Sequence, residues 1–336
     1  MPPPSDSRSS LAVVFRRHGP PLEVIAMERE EVSRPGPGQV LIAMRRALIH
    51  PADLNTIEGT YGTVRPPPAV GGGEGAGVVE EVGVGVEGLC VGQVVRPSPG
   101  LGTWREFLVA EAKDTLPLPE GLTLEQAAGL TVNPPTAWRM LEDFVNLEPG
   151  DWIAQNAANS AVGRCVIQIA RHRGLKTLNL VRRPELETEL KAIGADIVLP
   201  EGENLGRRVK ELTNGSPIRL ALNAVGGESA LNLSRALGAG GVLVTYGGMS
   251  KQPFAVGAGP LIFKDLQYRG FWVSRWFRDA PRERALGMIA EISALVRAGK
   301  LEIPVARQFS LAEAHAALEL AMAGGRAGKV MFAMGG

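Results

Sequence analysis

Three groups of residues in this 336-residue chain have the types and spacing to do chemistry. The first comes after the apolar run DWIAQN (151–156), where Ala158, Ser160 and Gly163 stand at the spacing of a Gly-x-Gly-x-x-Gly phosphate turn. Such a turn asks for residues small enough to turn tightly, to let backbone approach a pyrophosphate and to pack a helix on a strand. Only the last glycine is kept, so the spacing alone is weak evidence. Its setting, a strand before and a helix after, carries more weight. N–H groups at the start of a helix attract phosphate, and Asn159 and Ser160 add side-chain donors. The plainer alternative is a helix cap that binds nothing.

The second group ends the next strand, KTLNLV, where Arg182 and Arg183 come directly after. A fold that binds NAD places a carboxylate here for the ribose 2′-hydroxyl. Two guanidiniums suit a 2′-phosphate instead, by charge and by bidentate geometry. NADPH is therefore the expected cofactor, against the alternative of a solvated surface pair.

The third group is the loop LIHPADLNTIEGTYG, with Tyr61 between Thr60 and Gly62. A loop tyrosine often does no more than pack. A phenol held on a rigid scaffold can also donate a hydrogen bond or a proton to an enolate. Close by, Gly72-Gly73-Glu74 puts Gly73 where zinc alcohol dehydrogenases carry a histidine ligand. The ligand cysteine near residue 48 and a four-cysteine lobe are missing too. Without thiolate and imidazole ligands, a catalytic zinc is not expected.

The elements that must position these groups are readable from periodicity. Residues 11–150 are rich in short strand-like runs such as LAVVF, QVLIAM and AGVVEEVG, punctuated by Gly and Pro. From Thr136 a helical pattern, TAWRMLEDFVNL, leads to the turn Pro149-Gly150. Then the apolar strands DWIAQN, KTLNLV, ADIVLP, IRLALNAV and GVLVTYG alternate with amphipathic helices, which indicates βαβ units around a buried parallel sheet. After Arg275 come a helix, PRERALGMIAEISALVRAGKL, and a final strand, KVMFAM. That tail is too short to fold alone, so it is expected to return to the first domain. The expected division is 1–135 with 275–336, and 136–274.

Composition adds bounds. The net charge is +1 and the apolar fraction 45%, so no global charge calls for nucleic acid or an anionic membrane. No apolar run approaches the ~20 residues that span a bilayer. Residues 1–10 lack the apolar stretch of a secretory signal. They read as a short arm, with strand-like sequence from Leu11, and the expected compartment is the cytoplasm. Cys90 and Cys165 are the only cysteines, expected as two buried free thiols.

The order of segments resembles the medium-chain dehydrogenase/reductase superfamily, and within it the mitochondrial-type trans-2-enoyl-CoA/ACP reductases. The strings that carry the likeness are HPADLN (50–55), AVGGGEG (69–75), GLGTWR (100–105), VNPPTAWRML (132–141), QNAANSAVG (155–163), LALNAVGG (220–227), VTYGGMSKQP (244–253) and LIFKDLQYRGFWVSRW (261–276). The resemblance implies an α/β protein with a GroES-like β-rich catalytic domain and a Rossmann doubly wound parallel-sheet domain. It implies NADPH-dependent reduction of the C2–C3 double bond of enoyl thioesters carried on CoA or acyl carrier protein, and a homodimer. It makes Tyr61 the proton donor. It makes Asn133, Asn159, Ser160, Ala161, Val162, Arg182, Arg183, Tyr246, Gly247, Gly248, Met249, Phe271, Trp272, Val273 and Lys329 cofactor contacts.

Trp104, Phe271, Trp272 and Trp276 are candidates for an apolar acyl pocket or for plain core. Arg275, Arg278, Arg282 and Arg284 form a basic cluster suited to CoA phosphates or an acidic carrier protein, or else a solvated helix start. The rival readings are a zinc-free quinone or enone reductase of the same fold and a non-catalytic NADPH-binding protein.

Overall fold

The structure is a computed structural model that describes residues 7–202 and 205–335. The chain divides into two compact units, one of residues 1–132, 282–297 and 303–336, the other of residues 133–281 and 298–302. These divisions stand beside the expected 135/136 and 274/275.

The first unit is built on a seven-stranded sheet. Its path runs Val305–Phe309, Lys329–Ala333, Gln39–Leu48, Glu74–Val82, Val94–Arg96, Leu116–Pro117, with Phe107–Glu111 also paired to Gln39–Leu48. Register in the middle of this sheet sets Leu48 opposite Glu74 on one side and Met331 on the other. Alternation in Gln39–Leu48 gives way to an almost wholly buried strand, because sheet or helix covers both faces. The core includes Phe15, Ile42, Met44, Trp104, Leu108 and Phe332. A second, three-stranded sheet orders Ile25–Ser33, Ser7–Phe15 and Ala69–Val70. Its first strand starts at Ser7, earlier than Leu11, because Ser7 pairs with Ser33 at the end of a long antiparallel ladder. The rest of the expected arm, residues 1–6, lies outside the described residues.

The second unit is a six-stranded sheet, ordered Ile197–Pro200, Lys176–Val181, Trp152–Gln155, Ile218–Asn223, Leu237–Thr245, Gln267–Gly270. Every neighbouring pair is parallel. Counted within the unit, the order is 3-2-1-4-5-6, the doubly wound arrangement whose ligands bind where the winding reverses. That reversal falls between Trp152–Gln155 and Ile218–Asn223. Buried strands such as LNLV pack Leu178 and Leu180 against Leu205 and Val209 of a crossing helix.

Two local expectations are corrected. The helix expected over 136–147 runs Asn133–Met140 instead. Pro134 and Pro135 fall in its first turn, where a missing N–H costs nothing. The helix Gly227–Arg235 ends just before the strand Leu237–Thr245. Cys165 is buried, but Cys90 is exposed. Among the described residues, no helix is long and apolar enough to cross a membrane.

Candidate functional site

In the second unit the phosphate turn is built as its sequence requires. Ser160 caps the helix Ala161–His172, its Oγ accepting from Gly163 N at 3.1 Å. The amides of Ala161 and Val162 head that helix, with no preceding turn to bond. Close packing accounts for the one retained glycine: a Cβ on Gly163 would lie 2.5 Å from the Ala158 carbonyl oxygen and 2.8 Å from that of Ala157. The tight turn is made without glycine, by Ala157 at φ 47°, a region that alanine enters at a cost. Ala158 is fully buried and its N–H donates to Leu180 O at 3.2 Å.

The strands before the turn and beside it carry two buried amide pairs that the sequence did not single out. Gln155 Nε2 donates to Gly163 O at 2.9 Å and to Asn179 Oδ1 at 2.8 Å. Asn156 Nδ2 donates to Asn223 Oδ1 at 2.8 Å and Ser229 Oγ at 2.9 Å, and Asn156 Oδ1 accepts from Ala224 N at 2.8 Å. The available signal was polar residues inside otherwise apolar strands, DWIAQN, KTLNLV and IRLALN. In a parallel sheet covered on both faces such residues must find partners.

Four buried polar atoms described in this unit lack a hydrogen-bond partner, Gln155 Oε1, Arg164 Nε, Asn133 Nδ2 and the Tyr246 hydroxyl, and the last two are expected cofactor contacts. Asn133 is 3% exposed. Burial pushes the Tyr246 phenol well up, with nearby Ser160 opposing, so it stays a neutral donor. An unsatisfied buried donor is costly unless a ligand takes it. These two atoms, the open helix N-terminus and the close backbone approach at Gly163 fit a dinucleotide.

Asn159 and Ser160 are half-buried on the turn, as are Ala161 and Val162. Arg182 and Arg183 are exposed at the end of Lys176–Val181, with Arg183 Nε 4.0 Å from Glu185 Oε1. Tyr246 N donates to Asn223 O at 3.0 Å and Met249 N to Ala224 O at 3.0 Å, which seats the segment Tyr246-Gly247-Gly248-Met249 beside the end of Ile218–Asn223. A Cβ on Gly247 would come within 2.9 Å of Ala224 O, so the close approach there requires glycine. Phe271 N donates to Thr245 O at 3.0 Å, and Trp272 precedes the short helix Val273–Asp279, in which Val273 is buried. Trp276 is half-buried under the Arg139 guanidinium, 4.9 Å from its ring centre.

In the first unit, Tyr61 is half-buried just past the helix Pro51–Glu58. Gly59 ends that helix at φ +79°, and Thr60 and Tyr61 both donate their N–H to Asn55 O, at 2.9 and 3.1 Å. The turn thus holds the tyrosine's backbone on a fixed element. At the other end of the helix, His50 N donates to Asp53 Oδ2 at 2.7 Å. His50 Nε2 lies 2.7 Å from Glu74 Oε2, and Lys329 Nζ lies 3.1 Å from His50 Nδ1. All four side chains are buried, Glu74 completely. Burial holds Asp53 above its ordinary value, with His50 opposing. It lowers Lys329 to about 8, against the pull of Glu74 and Asp53.

A metal does not fit this cluster. Gly73 brings no donor, an ammonium group occupies the space beside His50, and among the described residues no set of three His, Cys, Asp or Glu could hold an ion.

Trp104, expected at an acyl pocket, belongs to the core. It has no exposed surface, donates Nε1–H to Leu48 O at 3.2 Å and meets Phe332 edge-on at 5.4 Å. Gly71 and Gly72 are small to admit it, since a Cβ on either would fall within 2.4 Å of its ring. Three arginines of the basic cluster have protein partners. Arg275 and Arg278 share Asp279 at 3.3 and 3.0 Å, and Arg282 donates to Lys113 O and Thr115 O.

Comparison with known proteins adds kinship to this geometry. Residues 36–120 match the alcohol dehydrogenase GroES-like domain and residues 161–291 the zinc-binding dehydrogenase domain. The chain is 44% identical over 314 residues to the mitochondrial enoyl-[acyl-carrier-protein] reductase of Bos taurus, covering 92% of this chain and 84% of that one. It superposes on the Etr1p complex with NADP and crotonyl-CoA with TM-score 0.87 and 30% identity, over 97% of this chain and all of that one. A putative NADPH:quinone reductase from Bacillus thuringiensis gives TM-score 0.89 at 26% identity, over 98% of this chain and all of that one. The cytoplasmic expectation is corrected here: the enoyl reductase relatives at this level of identity are mitochondrial proteins by name.

Proposed function

We infer, since this chain belongs to the enoyl-[acyl-carrier-protein] reductase family, that it is an NADPH-dependent reductase of the C2–C3 double bond of 2-enoyl thioesters. The observation that carries the reading is the near full-length match, at 30% identity, to a reductase solved with both NADP and crotonyl-CoA. The retained Gly163 turn and two of the unit's unpartnered buried donors, Asn133 Nδ2 and the Tyr246 hydroxyl, support the cofactor part of it.

When bound, the cofactor supplies a hydride to Cβ of the enoyl thioester. Negative charge then gathers on the thioester oxygen, and Cα must gain a proton. Tyr61 is the proposed donor, either to Cα or as a hydrogen bond to the charged oxygen. Asn133, the turn Asn159 to Val162, the segment Tyr246 to Met249, the segment Phe271 to Val273, and Lys329 are the proposed cofactor contacts. Arg182 and Arg183 are proposed to choose NADPH by taking its 2′-phosphate. Trp276 remains a proposed wall of the acyl pocket, alongside Phe271 and Trp272.

The proposed assembly is a homodimer through the second unit. Gln267–Gly270 is the last strand of its sheet, and the adjoining helix Ala258–Lys264 exposes Leu261, Ile262 and Phe263, the last at 84%. An unpaired strand edge beside exposed apolar side chains favours pairing with a second copy.

A quinone reductase is the second reading, favoured by the Bacillus thuringiensis likeness. The separating experiment compares crotonyl-CoA with a simple quinone as oxidants of NADPH.

A further inference from the structure

The buried cluster around Lys329 has a chemistry that the proposed mechanism does not use. An ammonium group only donates, so His50 Nδ1 must accept from Lys329 across their 3.1 Å. The ring's own N–H then sits on Nε2 and donates to Glu74 Oε2 at 2.7 Å. The second Glu74 oxygen accepts from Thr131 N at 2.8 Å and Thr131 Oγ1 at 3.1 Å. Glu74 is thus a fully enclosed, fully bonded carboxylate that fixes one histidine tautomer.

Lys329 is not so complete. It is 6% exposed, and among the described residues no second acceptor serves its remaining N–H groups. A buried cation with unsatisfied donors is poised for an anion.

The sheet explains how residues so far apart in sequence meet. Leu48 pairs with Glu74 and with Met331, and Ile49 N donates to Val330 O at 3.0 Å. His50, Glu74 and Lys329 therefore come from three neighbouring strands or their ends. The charged groups facing Lys329 are Glu74 and Asp53, which favour the ammonium, and Arg326, which opposes it. Arg96 faces Glu74, and Arg65 faces Asp53.

We propose that Glu74 and His50 are positioning residues for cofactor binding, together holding the Lys329 ammonium charged and aimed at an anionic oxygen of NADPH. This rests on the reading of Lys329 as a cofactor contact. Loss of either partner leaves the lysine misaimed and easier to deprotonate. Burial has already brought Lys329 down to about 8, so the ammonium is present below that pH and lost above it.

The test is the dissociation constant of NADPH, read by its fluorescence on binding, as pH is raised from neutrality through about 8. The wild-type protein should bind progressively more weakly above that point. Glu74→Gln removes the negative charge that favours the ammonium. It should weaken binding about tenfold at neutral pH, the scale of one charge-assisted hydrogen bond, and move the break to lower pH. His50→Leu, close in size, should move the break the same way and serves if Glu74→Gln does not fold. Lys329→Met should weaken binding about tenfold and abolish the break, and Glu74→Gln added to it should change nothing more.

If Lys329→Met leaves NADPH affinity intact, the cofactor-contact reading itself is wrong. If Lys329→Met weakens binding while a folded Glu74→Gln keeps both affinity and break, the positioning role alone is overturned.

Discussion

Gly163 and Ala158 approach so closely that a Cβ on the glycine would sit 2.5 Å from the alanine's carbonyl oxygen. This contact lets the helix Ala161–His172 start against the strand before it, with Ala161 and Val162 N–H open to a phosphate. Gly163→Ala must push the turn away from the helix. Its expected outcome is a lowered melting temperature and NADPH affinity reduced tenfold or more, since the dinucleotide site needs this close packing. Calorimetry and a binding titration check both parts. A variant with unchanged affinity would separate the turn from the cofactor.

Tyr61→Phe removes a hydroxyl from a half-buried side chain whose backbone is held by Asn55 O. Fold and NADPH affinity should be kept. Turnover on an enoyl thioester should fall about 10²–10⁴-fold, the usual worth of a general acid. Steady-state kinetics beside a binding titration reads the two effects apart. A turnover number equal to that of the wild-type protein removes Tyr61 from the mechanism.

Arg182 and Arg183 are exposed, and Arg183 has Glu185 at 4.0 Å. Solvent and that carboxylate both reduce what each guanidinium contributes. Taken at the low end for hydrogen bonds to charged groups, the pair still gives about a hundredfold preference for NADPH over NADH. The double substitution Arg182→Ala with Arg183→Ala should raise KM for NADPH and leave KM for NADH nearly unchanged. Added salt should erode the wild-type preference by screening. Equal losses with both cofactors would assign the pair a structural role.

The proposed dimer should be visible by light scattering at micromolar concentration. Phe263 is 84% exposed on the helix beside the edge strand Gln267–Gly270. Phe263→Asp should leave the folded protomer intact, because the side chain packs on little within it, and should shift the mass toward monomer. A wild-type monomer would contradict the pairing.

How much was legible in the sequence depends on the range of the forces involved. The parallel sheet could be read because each buried strand is apolar throughout and each crossing helix is amphipathic, both local signals. The phosphate turn was readable from three residues and their setting. The meeting of Lys329 with His50 and Glu74 was not, because strand register in a sheet drawn from both ends of the chain creates it. The amides Gln155, Asn156, Asn179 and Asn223 lie inside runs read only as apolar strands, and it takes the strand register to pair Gln155 with Asn179 and Asn156 with Asn223. Trp104 suggested a pocket by its type, yet Gly71 and Gly72, distant from it in sequence, are what admit it to the core. The helix start at Asn133 was hidden by Pro134 and Pro135, which read as breakers except in a first turn.

Reduction of an enoyl thioester is checked by NADPH oxidation measured in parallel with crotonyl-CoA and with a simple quinone, with the saturated thioester identified as product. For crotonyl-CoA kcat/KM should exceed that for the quinone by at least about a hundredfold, a difference of about 2.7 kcal/mol in transition-state stabilisation. The Tyr61→Phe loss should appear on the thioester. Turnover of the quinone with none of crotonyl-CoA or longer 2-enoyl thioesters would contradict thioester reduction and leave the quinone reductase reading standing.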